Sequence, residues 1–568
     1  MTNNFRLPIS YLKKLSKLDS HIIDDLQLCR TDHDNDPDNP TIYETLFDNS
    51  NNRLSNKSIN LWADNFTNDV EFLKNTQSLL TKKFTKVDDT FQEIATFWDN
   101  MSSEQSFFID KYQYIDWNWF EFLNNSVIFL QILSTYNLTS PILTLSMPIF
   151  MLLMPFIIIK MKGKDITFID YYNLLSLAFS QHQIGQLFSI GSASWDQRIY
   201  ILISGVFYIL QVYQNINSCY TFFTNLSVIH GNLFLVRNFI SQALGYMEEF
   251  HKKTRKLKKY NPFREDIKKN MDILKEYSDC LYQVSSYEIS IKKLYNLGNV
   301  MYCYYRLYKS PEIQSSMSFA IHFMGYYDNL ETLRSKLSQK TISLCSFTTK
   351  NCSFKDSFSP SIIHTKPISN SYSLDKQLLI TGPNAAGKTT LLKSTLVNLL
   401  LSQQLGLGFY SSAKVHPYDY IHCYINIPDT SHRDSLFQAE ARRCKDIIDI
   451  INNKPNFRHF CIFDELYSGT NPYEAVASAT AFLKYLNTFP NVSYVITTHF
   501  LHLCERLDKD DRTLNCHMET NGKNKDITYT YRLCNGISQI KGGTKVLHDL
   551  DYPSQILSCA EEIINAAK

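Results

Sequence analysis

The stretch that decides the fold reads T-G-P-N-A-A-G-K-T-T, from Thr381 to Thr390. The pattern G-x-x-x-x-G-K-[ST], a loop that cradles nucleotide phosphates, is met by Gly382, Gly387, Lys388 and Thr389. An apolar run at Leu378–Ile380 precedes the loop, and an apolar-rich segment at Thr389–Leu401 follows it. These segments predict a buried strand and a helix, in the order that such a loop requires.

The residues of this loop have distinct roles in binding a nucleoside triphosphate. Lys388 reaches the β- and γ-phosphates, and the hydroxyl of Thr389 can ligate Mg²⁺. Glycines let backbone N–H groups face the phosphates, and the start of the helix adds positive potential. The predicted nucleotide-binding set also includes Pro383, Asn384, Ala385, Ala386 and Thr390. The sequence therefore predicts a site for ATP and Mg²⁺.

Length and composition limit the number of domains, the kinds of partner and the cellular compartment. The 568 residues are enough for several domains of ~100–200 residues each. A formal net charge of +2 gives no global basic field, so any nucleic-acid site must be local. Thirteen cysteines without a C-x-x-C pair indicate a reducing compartment in which most thiols serve as core residues. With a polar start over residues 1–28, the composition predicts an intracellular protein of the cytoplasm or nucleus.

Two stretches, Phe122–Ile159 and Ile199–Val236, contain no Asp, Glu, Lys or Arg. Their most apolar parts are Ile142–Ile159 and Ile199–Tyr213, and the first would span about 27 Å as a helix. That length is close to the ~30 Å hydrocarbon thickness of a bilayer. The stretches are therefore either membrane spans or a buried helical hairpin in a large soluble domain.

The residues in and around these stretches support different alternatives. The first stretch contains Pro141, Pro148 and Pro155. These prolines favour a membrane span, because prolines are tolerated in a membrane helix and are awkward in a continuous soluble helix. The connection between the stretches carries four basic residues, Lys160, Lys162, Lys164 and Arg198. The positive-inside rule would hold that connection in the cytosol with both termini outside, away from ATP. The sequence leaves both alternatives open.

The remaining upstream sequence is mostly helical in pattern. Residues 61–121 and 238–337 have helical periodicity, with a break near Asn261-Pro262. A dense basic cluster at 252–259 suits a phosphate backbone, an anionic lipid surface or a solvated helix face. Residues 340–376 predict short strands and turns that lead into the phosphate loop.

Acidic and imidazole side chains follow two further predicted strands. Asp464 and Glu465 come directly after the apolar run Phe460–Phe463. An aspartate there can hold Mg²⁺, and the next glutamate can orient or deprotonate an attacking water. His499 follows the predicted strand Ser493–Thr498 and can hydrogen-bond a γ-phosphate or the water. Between these two elements, Ser435 opens a helix predicted to reach Ile450, where Ser and a following Glu suit N-terminal capping.

Taken together, the motifs resemble those of the MutS family of DNA mismatch-repair ATPases. Gly382–Thr389 matches its phosphate loop, G-P-N-x-x-G-K-[ST], and Ser435–Glu440 is similar to its S-T-F-x-x-E run, with Leu436 where Thr is usual. D-E-L-Y-S-G-T at Asp464–Thr470 resembles its Walker B element, and T-T-H-F at Thr497–Phe500 its A-T-H motif. Gly536–Ser538 looks like the family's closing segment before a final helix. The resemblance covers about residues 340–568.

The resemblance implies roles for individual residues. It assigns catalysis to Glu465, His499 and Lys388, and Mg²⁺ coordination to Thr389 and Asp464. Ser435 would reach the γ-phosphate held by a partner subunit, so that a homodimer forms composite sites. The loop Pro367–Asn370 aligns with the family's adenine contact, although the usual aromatic residue is absent.

The resemblance also implies the architecture. We expect an α/β ABC-type P-loop ATPase domain at 340–568 behind a mostly α-helical region. That region divides into a polar, helical segment at 1–121, an apolar helical segment at 122–236 and a lever-like helical segment at 237–339. Phe91-Gln92-Glu93 spells the F-x-E of mismatch-reading domains without its usual context, so we interpret it as chance.

The expected function is ATP hydrolysis in a dimer, coupled to recognition of a DNA structure or mismatch. The alternative is a membrane-anchored ATPase of MutS descent that acts on a membrane or protein partner, with its ATPase domain facing the cytosol.

Overall fold

The computed structural model describes most of the chain. The described residues are 4–29, 40–48, 53–87, 92–104, 107–163, 167–181, 185–186, 190–192, 194–284, 296–425, 427, 435–521, 528–538, 547–548 and 550–566. The predicted F-x-E triplet is only partly covered, because Phe91 lies outside these residues, and Gln92 begins a helix.

The α-helices of the first half are α1 (Ser20–Asp25), α2 (Ile42–Phe47), α3 (Arg53–Ile59), α4 (Val70–Leu80), α5 (Gln92–Glu104), α6 (Phe108–Lys111), α7 (Val127–Met161), α8 (Phe168–Gln181), α9 (Trp195–Thr254) and α10 (Asn261–Tyr282). Those of the second half are α11 (Leu297–Lys309), α12 (Pro311–Ser338), α13 (Lys388–Gln404), α14 (Leu436–Asn453), α15 (Pro472–Leu486), α16 (Leu501–Leu507) and α17 (Ser554–Ala566).

The β-strands are β1 (Ser16–Lys17), β2 (Asn65–Phe66), β3 (Ser343–Phe347), β4 (Ser353–Ser357), β5 (Asn370–Ser373), β6 (Gln377–Thr381), β7 (Leu407–Gly408), β8 (Ser412–Val415), β9 (Tyr420–Tyr424), β10 (His459–Asp464), β11 (Val492–Thr497), β12 (Thr513–Asn521) and β13 (Thr528–Asn535).

The chain forms two compact units that do not follow its linear order. The sheet unit consists of residues 4–89, 246–269 and 321–568, and the helical unit includes residues 90–245 and 270–320. Residues 4–89 thus share a unit with the β-sheets, although the sequence analysis predicts a separate segment over 1–121. Polar contacts explain this association: the Tyr43 hydroxyl donates to Gln404 Oε1 at 2.9 Å, and Gln404 Nε2 donates to the carbonyl of Trp62 at 2.6 Å.

A six-stranded sheet organises the sheet unit, in the order β13-β12-β6-β11-β10-β9. All neighbouring pairs are parallel except β12 and β13. Strand β6 is buried along its whole length, which suits the apolar run Leu378–Ile380 at its centre. Because β6, β10 and β11 are parallel neighbours, the residues that follow them meet at the same edge of the sheet. A five-stranded sheet, β5-β4-β8-β3-β7, completes the unit.

The helical unit has an aromatic core and a long helical hairpin. Phe108 stacks on Tyr308 with ring centroids 3.9 Å apart, and Tyr112 meets Tyr304 edge-on at 5.1 Å. Helices α7 and α9 lie side by side: Asn215 Nδ2 donates to Thr144 Oγ1 at 2.8 Å, and Cys219 Sγ donates to the Leu138 carbonyl at 3.3 Å. The contact pairs run in opposite directions along the chain, so the two helices are antiparallel.

Two helical segments are long and apolar enough to cross a membrane by length and composition, Val127–Met147 and Trp195–Thr254. Helix α7 continues through Pro141, Pro148 and Pro155 without a break. The most apolar window of each segment is only 17% and 11% buried, respectively. The buried hairpin and the membrane spans both stay predictions at this point.

Several local predictions are confirmed. The strand before the loop is β6, the helix after it is α13, and the strands before the acidic and histidine motifs are β10 and β11. The predicted break also holds, since α9 ends at Thr254 and α10 begins at Asn261.

One pair of cysteines stands apart from the predicted core thiols. Cys280 of α10 and Cys303 of α11 form a disulfide, whose Cα atoms are 6.5 Å apart. Helix packing creates this proximity, and the spacing of the two residues in the sequence does not reveal it. The other expectation for cysteines is met by the buried thiols of Cys345, Cys352, Cys423, Cys444, Cys461, Cys504 and Cys516.

Candidate nucleotide site

The phosphate loop joins the end of β6 to the start of α13. Gly387 caps α13 with φ +92°, a conformation that a side chain would strain. A Cβ atom at Gly387 would also lie 3.1 Å from Cδ1 of Tyr531, so that the tyrosine ring would have to shift slightly to admit it. Ala385 adopts φ +61°, and Ala386 is buried. Left-handed backbone at two positions turns the loop back on itself, as a cradle of N–H groups requires.

Lys388 lies inside this loop. Its Nζ donates to the carbonyls of Gly382 and Pro383 at 3.0 and 3.1 Å. Burial lowers the pKa of this ammonium group, and the nearby Glu465 and Asp464 carboxylates oppose the shift. A buried cation that contacts two backbone carbonyls and the imidazole of His499, with carboxylates nearby, is arranged to receive an anion.

Asp464 is held by two threonines at the carboxyl edge of the sheet. Thr389 Oγ1 donates to Asp464 Oδ2 at 3.0 Å, and Thr497 Oγ1 also donates to this carboxylate. Thr389 opens α13, Asp464 ends β10 and Thr497 ends β11, so three adjacent elements fix the group. A carboxylate beside a hydroxyl is the oxygen donor set that Mg²⁺ prefers.

Glu465 and His499 are in hydrogen-bond contact next to Lys388. His499 Nε2 lies 2.8 Å from Glu465 Oε1 and 3.1 Å from Lys388 Nζ. The hydrogen bond from His499 lowers the pKa of Glu465, so this carboxyl group is ionised at neutral pH. Glu465 has φ +53°, and its backbone N–H donates to the Thr497 carbonyl at 3.1 Å. The carboxylate is thus fixed by its backbone as well as by the imidazole.

A cavity of about 700 Å³ opens over the loop. Predicted site residues that line it are Asn384, Ala385, Gly387, Lys388, Thr389, Thr390 and Glu465. The loop predicted to contact adenine also lines it, through Pro367, Ile368 and Asn370. The side chain of Tyr531 faces the same space from β13, where Asn370 Nδ2 donates to its carbonyl at 3.0 Å. An aromatic residue is therefore present at the cavity, although the sequence loop lacks one.

Ser435 lies elsewhere in the sheet unit. It caps α14 through a capping box in which Gln438, and not Glu440, returns the hydrogen bond to the cap backbone. Ser435 is exposed and does not belong to the residues that line the cavity. The structure therefore brings together the loop, Asp464, Glu465 and His499, and leaves Ser435 on the surface.

Glu440 has a role that the sequence analysis misses. Its buried carboxylate accepts from the backbone N–H and hydroxyl of Ser468 at 3.0 and 2.9 Å, and from the Gly469 N–H at 3.2 Å. These bonds tie α14, which Ser435 opens, to the loop that follows Glu465. Only the tertiary pairing of α14 with this loop reveals the role.

The basic cluster at 252–259 is partly engaged inside the sheet unit. Lys253 pairs with Glu249, and Lys259 Nζ lies 2.6 Å from Asp69 Oδ2. Two of its cations are therefore already neutralised by carboxylates.

Sequence comparisons agree with this geometry. Residues 378–568 match the family model described as MutS domain V. The site-bearing region is therefore similar to the corresponding domain of the MutS family. Relatives include proteins named DNA mismatch repair protein MutS from Streptococcus pyogenes strains Manfredo and NZ131, each 26% identical over 201 residues. The match covers 35% of this chain and 23% of each relative, so the chain spans about a quarter of their length.

The MutS-like region contains every predicted site residue, from Gly382 to His499, and the final helix α17. It also contains β12 and β13, which bring Met518 and Tyr531 to the cavity. The family match begins after the predicted adenine loop, so Pro367–Asn370 is connected to the site by the structure alone.

Proposed function

We propose that the sheet unit binds ATP with Mg²⁺ and hydrolyses it. The observation that carries this proposal is the convergence of Lys388, Thr389, Asp464, Glu465 and His499 at one edge of a parallel sheet. Similarity to the MutS family supports it, because family members are ATPases.

The residues fit both the nucleotide and the metal. The left-handed backbone of the phosphate loop and the buried ammonium of Lys388 suit the phosphates. Thr389 and Asp464 would hold Mg²⁺, which neutralises charge on the phosphates when bound. Pro367, Ile368 and Tyr531 line the part of the cavity that would receive the base.

Each polar group has a distinct part in hydrolysis. Lys388 binds phosphate oxygens and stabilises the negative charge that develops on them. Glu465, which His499 and nearby Lys388 keep ionised, orients the attacking water and accepts its proton. His499 lies between Glu465 and Lys388. Its imidazole is therefore placed to hydrogen-bond both the γ-phosphate and the carboxylate of Glu465, the general base.

The proposed site is completed by a second copy of the chain. Ser435 caps an exposed helix start outside the cavity, where backbone N–H groups and a hydroxyl are available to a partner's phosphate. Glu440 connects that helix to the loop after Glu465 in the same chain. One chain's contact with its partner's nucleotide would then influence its own catalytic carboxylate.

The proposed target is DNA, in the form of a mismatch or another altered structure. The support is the name of the relatives, DNA mismatch repair protein MutS. ATP turnover would be coupled to movement of the helical segments that precede residue 340. Stimulation of the ATPase by mismatched or branched duplexes, compared with plain duplex, measures this coupling.

Glu465→Gln tests the catalytic assignment. We expect turnover to fall by roughly 10²–10⁴-fold, with ATP binding retained, because the amide accepts no proton. The matched control is Glu505→Gln, which removes a carboxylate from an exposed His–Glu pair, His502–Glu505, at 3.0 Å. Normal hydrolysis by Glu465→Gln would contradict the proposal.

Mixed dimers test the composite site. Combining Glu465→Gln subunits with Ser435→Ala subunits places both defects in one site and leaves the other intact. We expect the mixture to recover activity that neither variant has alone. A mixture as inactive as its parents would show that each site is built from one chain.

A further inference from the structure

The hairpin of α7 and α9 exposes an apolar surface that no described residue covers. On α9 the side chains of Ile203, Val206, Phe207 and Ile209 are between 51% and 65% exposed. On α7, Phe150 is 52% exposed and Ile142 is 66% exposed. At 100° per residue, the exposed α9 residues fan over about half of the helix circumference. The opposite face of α9 packs on α7.

The exposed residues of the two helices lie at the same level. The contacts of Thr144 with Asn215 and of Leu138 with Cys219 set the antiparallel register. In that register, Ile142–Ile159 on α7 lies opposite residues 199–216 on α9. We call these two segments the apolar band. Neither segment contains a charged residue, and each spans about 27 Å along its helix axis.

Side chains typical of a membrane interface mark the end of the band nearest the connection. Lys160 lies over the ring of Phe156 at 5.7 Å, and Arg198 lies over the ring of Trp195 at 5.4 Å. Trp195 and Tyr200 are 78% and 69% exposed. Aromatic rings with a charged end beside them are favoured where hydrocarbon meets the headgroups.

These features select one kind of partner. A helix with apolar residues on both its packed and its outer face is either a core helix or a membrane span. The exposure of Ile142 and Phe150 on α7 and the low burial of the apolar window of α9 argue against a core helix within the described residues. Pairing with a second copy or a partner helix requires only a narrow stripe of apolar residues along one side of a helix. The band is wider than such a stripe, because apolar residues cover about half of the circumference of each helix.

We infer that the apolar band is embedded in the hydrocarbon core of a lipid bilayer, with both ends of the hairpin on the same side. This inference does not depend on the ATPase proposal, because it rests on the helical unit alone. The basic residues of the connection bear on which side of the membrane the connection faces. They do not oppose the embedding, since Lys160 and Arg198 lie at the end of the band and not within it.

The test is flotation of the full chain with phosphatidylcholine–phosphatidylglycerol vesicles in a density gradient, followed by an alkaline carbonate wash. The disrupting variant is Phe150→Lys with Phe207→Lys, which places two charges near the middle of the band. The matched control is Ile450→Lys with Ile563→Lys, which adds the same two charges at positions 40% and 64% exposed on α14 and α17, outside the hairpin. Flotation separates bilayer insertion from aggregation, because aggregates sediment.

We expect the wild-type chain and the control to float and to resist the wash, and the band variant to lose most of its vesicle-bound fraction. A wild-type chain that stays in the supernatant without detergent would overturn the inference. A wild-type chain that is soluble as a dimer, and monomeric when the band variant is introduced, would identify a second copy as the covering partner instead. ATP binding is measured separately on the same preparations in detergent. Failure of the membrane inference is thereby distinguished from failure of the ATPase proposal.

Discussion

The nucleotide site and the apolar band differ in where their side chains find a suitable environment. In the sheet unit, the charged groups of the site lie close together and are held by named partners, such as the two threonines on Asp464. In the band, apolar side chains such as Phe150 and Phe207 lie exposed on the outside. The first region carries its chemistry inside the fold, whereas the second requires an apolar medium from outside.

Two phenylalanines make the comparison measurable. Phe463 precedes Asp464, is fully buried and meets Phe482 edge-on at 5.4 Å, whereas Phe207 is 65% exposed. We expect Phe463→Ala to cost about 3–5 kcal/mol of unfolding free energy, because it leaves a cavity. Phe207→Ala should stay within about 0.5 kcal/mol, because no packed neighbour is lost.

The measurement is the unfolding midpoint of the full chain in one detergent, read by circular dichroism for both variants and the wild type. Similar losses for the two alanine variants would mean that Phe207 is packed against protein, and the contrast between the regions would disappear.

The parts of this contrast that the sequence predicts are the local ones. The sequence around Thr381–Thr390 contains the signals for a strand, a turn and a helix. Both β6 and α13 are therefore predicted, together with the site residues that they position. Asp464 and His499 follow apolar runs, and parallel pairing brings them together. Tyr531 and Glu440 are missed, because the first reaches the cavity from a strand about 140 residues after the loop, and the second is read as part of a cap.

The band shows the other limit of sequence reasoning. Its composition fits a core helix and a membrane span equally well, since both are apolar. Only the exposure of residues such as Phe150 and Phe207 separates the two, and exposure is a property of the fold. In the same way, the association of residues 4–89 with the β-sheets depends on polar contacts such as that of Tyr43 with Gln404.

Glu440→Gln tests whether buried polar partners set the geometry of the site. An amide has one acceptor oxygen, so its NH₂ group would face a backbone N–H of Ser468 or Gly469, at a cost of about 1–3 kcal/mol. We expect kcat to fall by several-fold with little change in nucleotide affinity, because the loop after Glu465 loses its anchor. Ser468→Ala, which removes one of the three bonds, should have a smaller effect.

Steady-state kinetics with a separate nucleotide-binding titration distinguish the outcomes for Glu440→Gln. A loss of affinity equal to the loss of kcat would indicate general disruption of the fold, and wild-type kinetics would remove Glu440 from any positioning role.

Asp25, the last residue of α1, is a partly buried carboxylate of the sheet unit. Its Oδ2 accepts from Cys423 Sγ at 3.4 Å, and burial raises its pKa to about 6. The folded protein therefore binds the proton more tightly than the unfolded chain does. The resulting stabilisation is complete below the ordinary carboxyl pKa and is lost as the pH rises through about 6.

Asp25→Asn should remove this pH dependence. Asparagine stays neutral, so we expect the variant to be more stable than the wild type at pH 7.5, by about 1 kcal/mol once solvent screening of this partly exposed group is included. The advantage should be smallest near pH 4 and constant above about pH 7. Unfolding midpoints across this range measure it, with Asp24→Asn as the exposed neighbouring control for the same change in charge. A stabilisation independent of pH, or one shared by Asp24→Asn, would show that burial of the Asp25 carboxylate is not its cause.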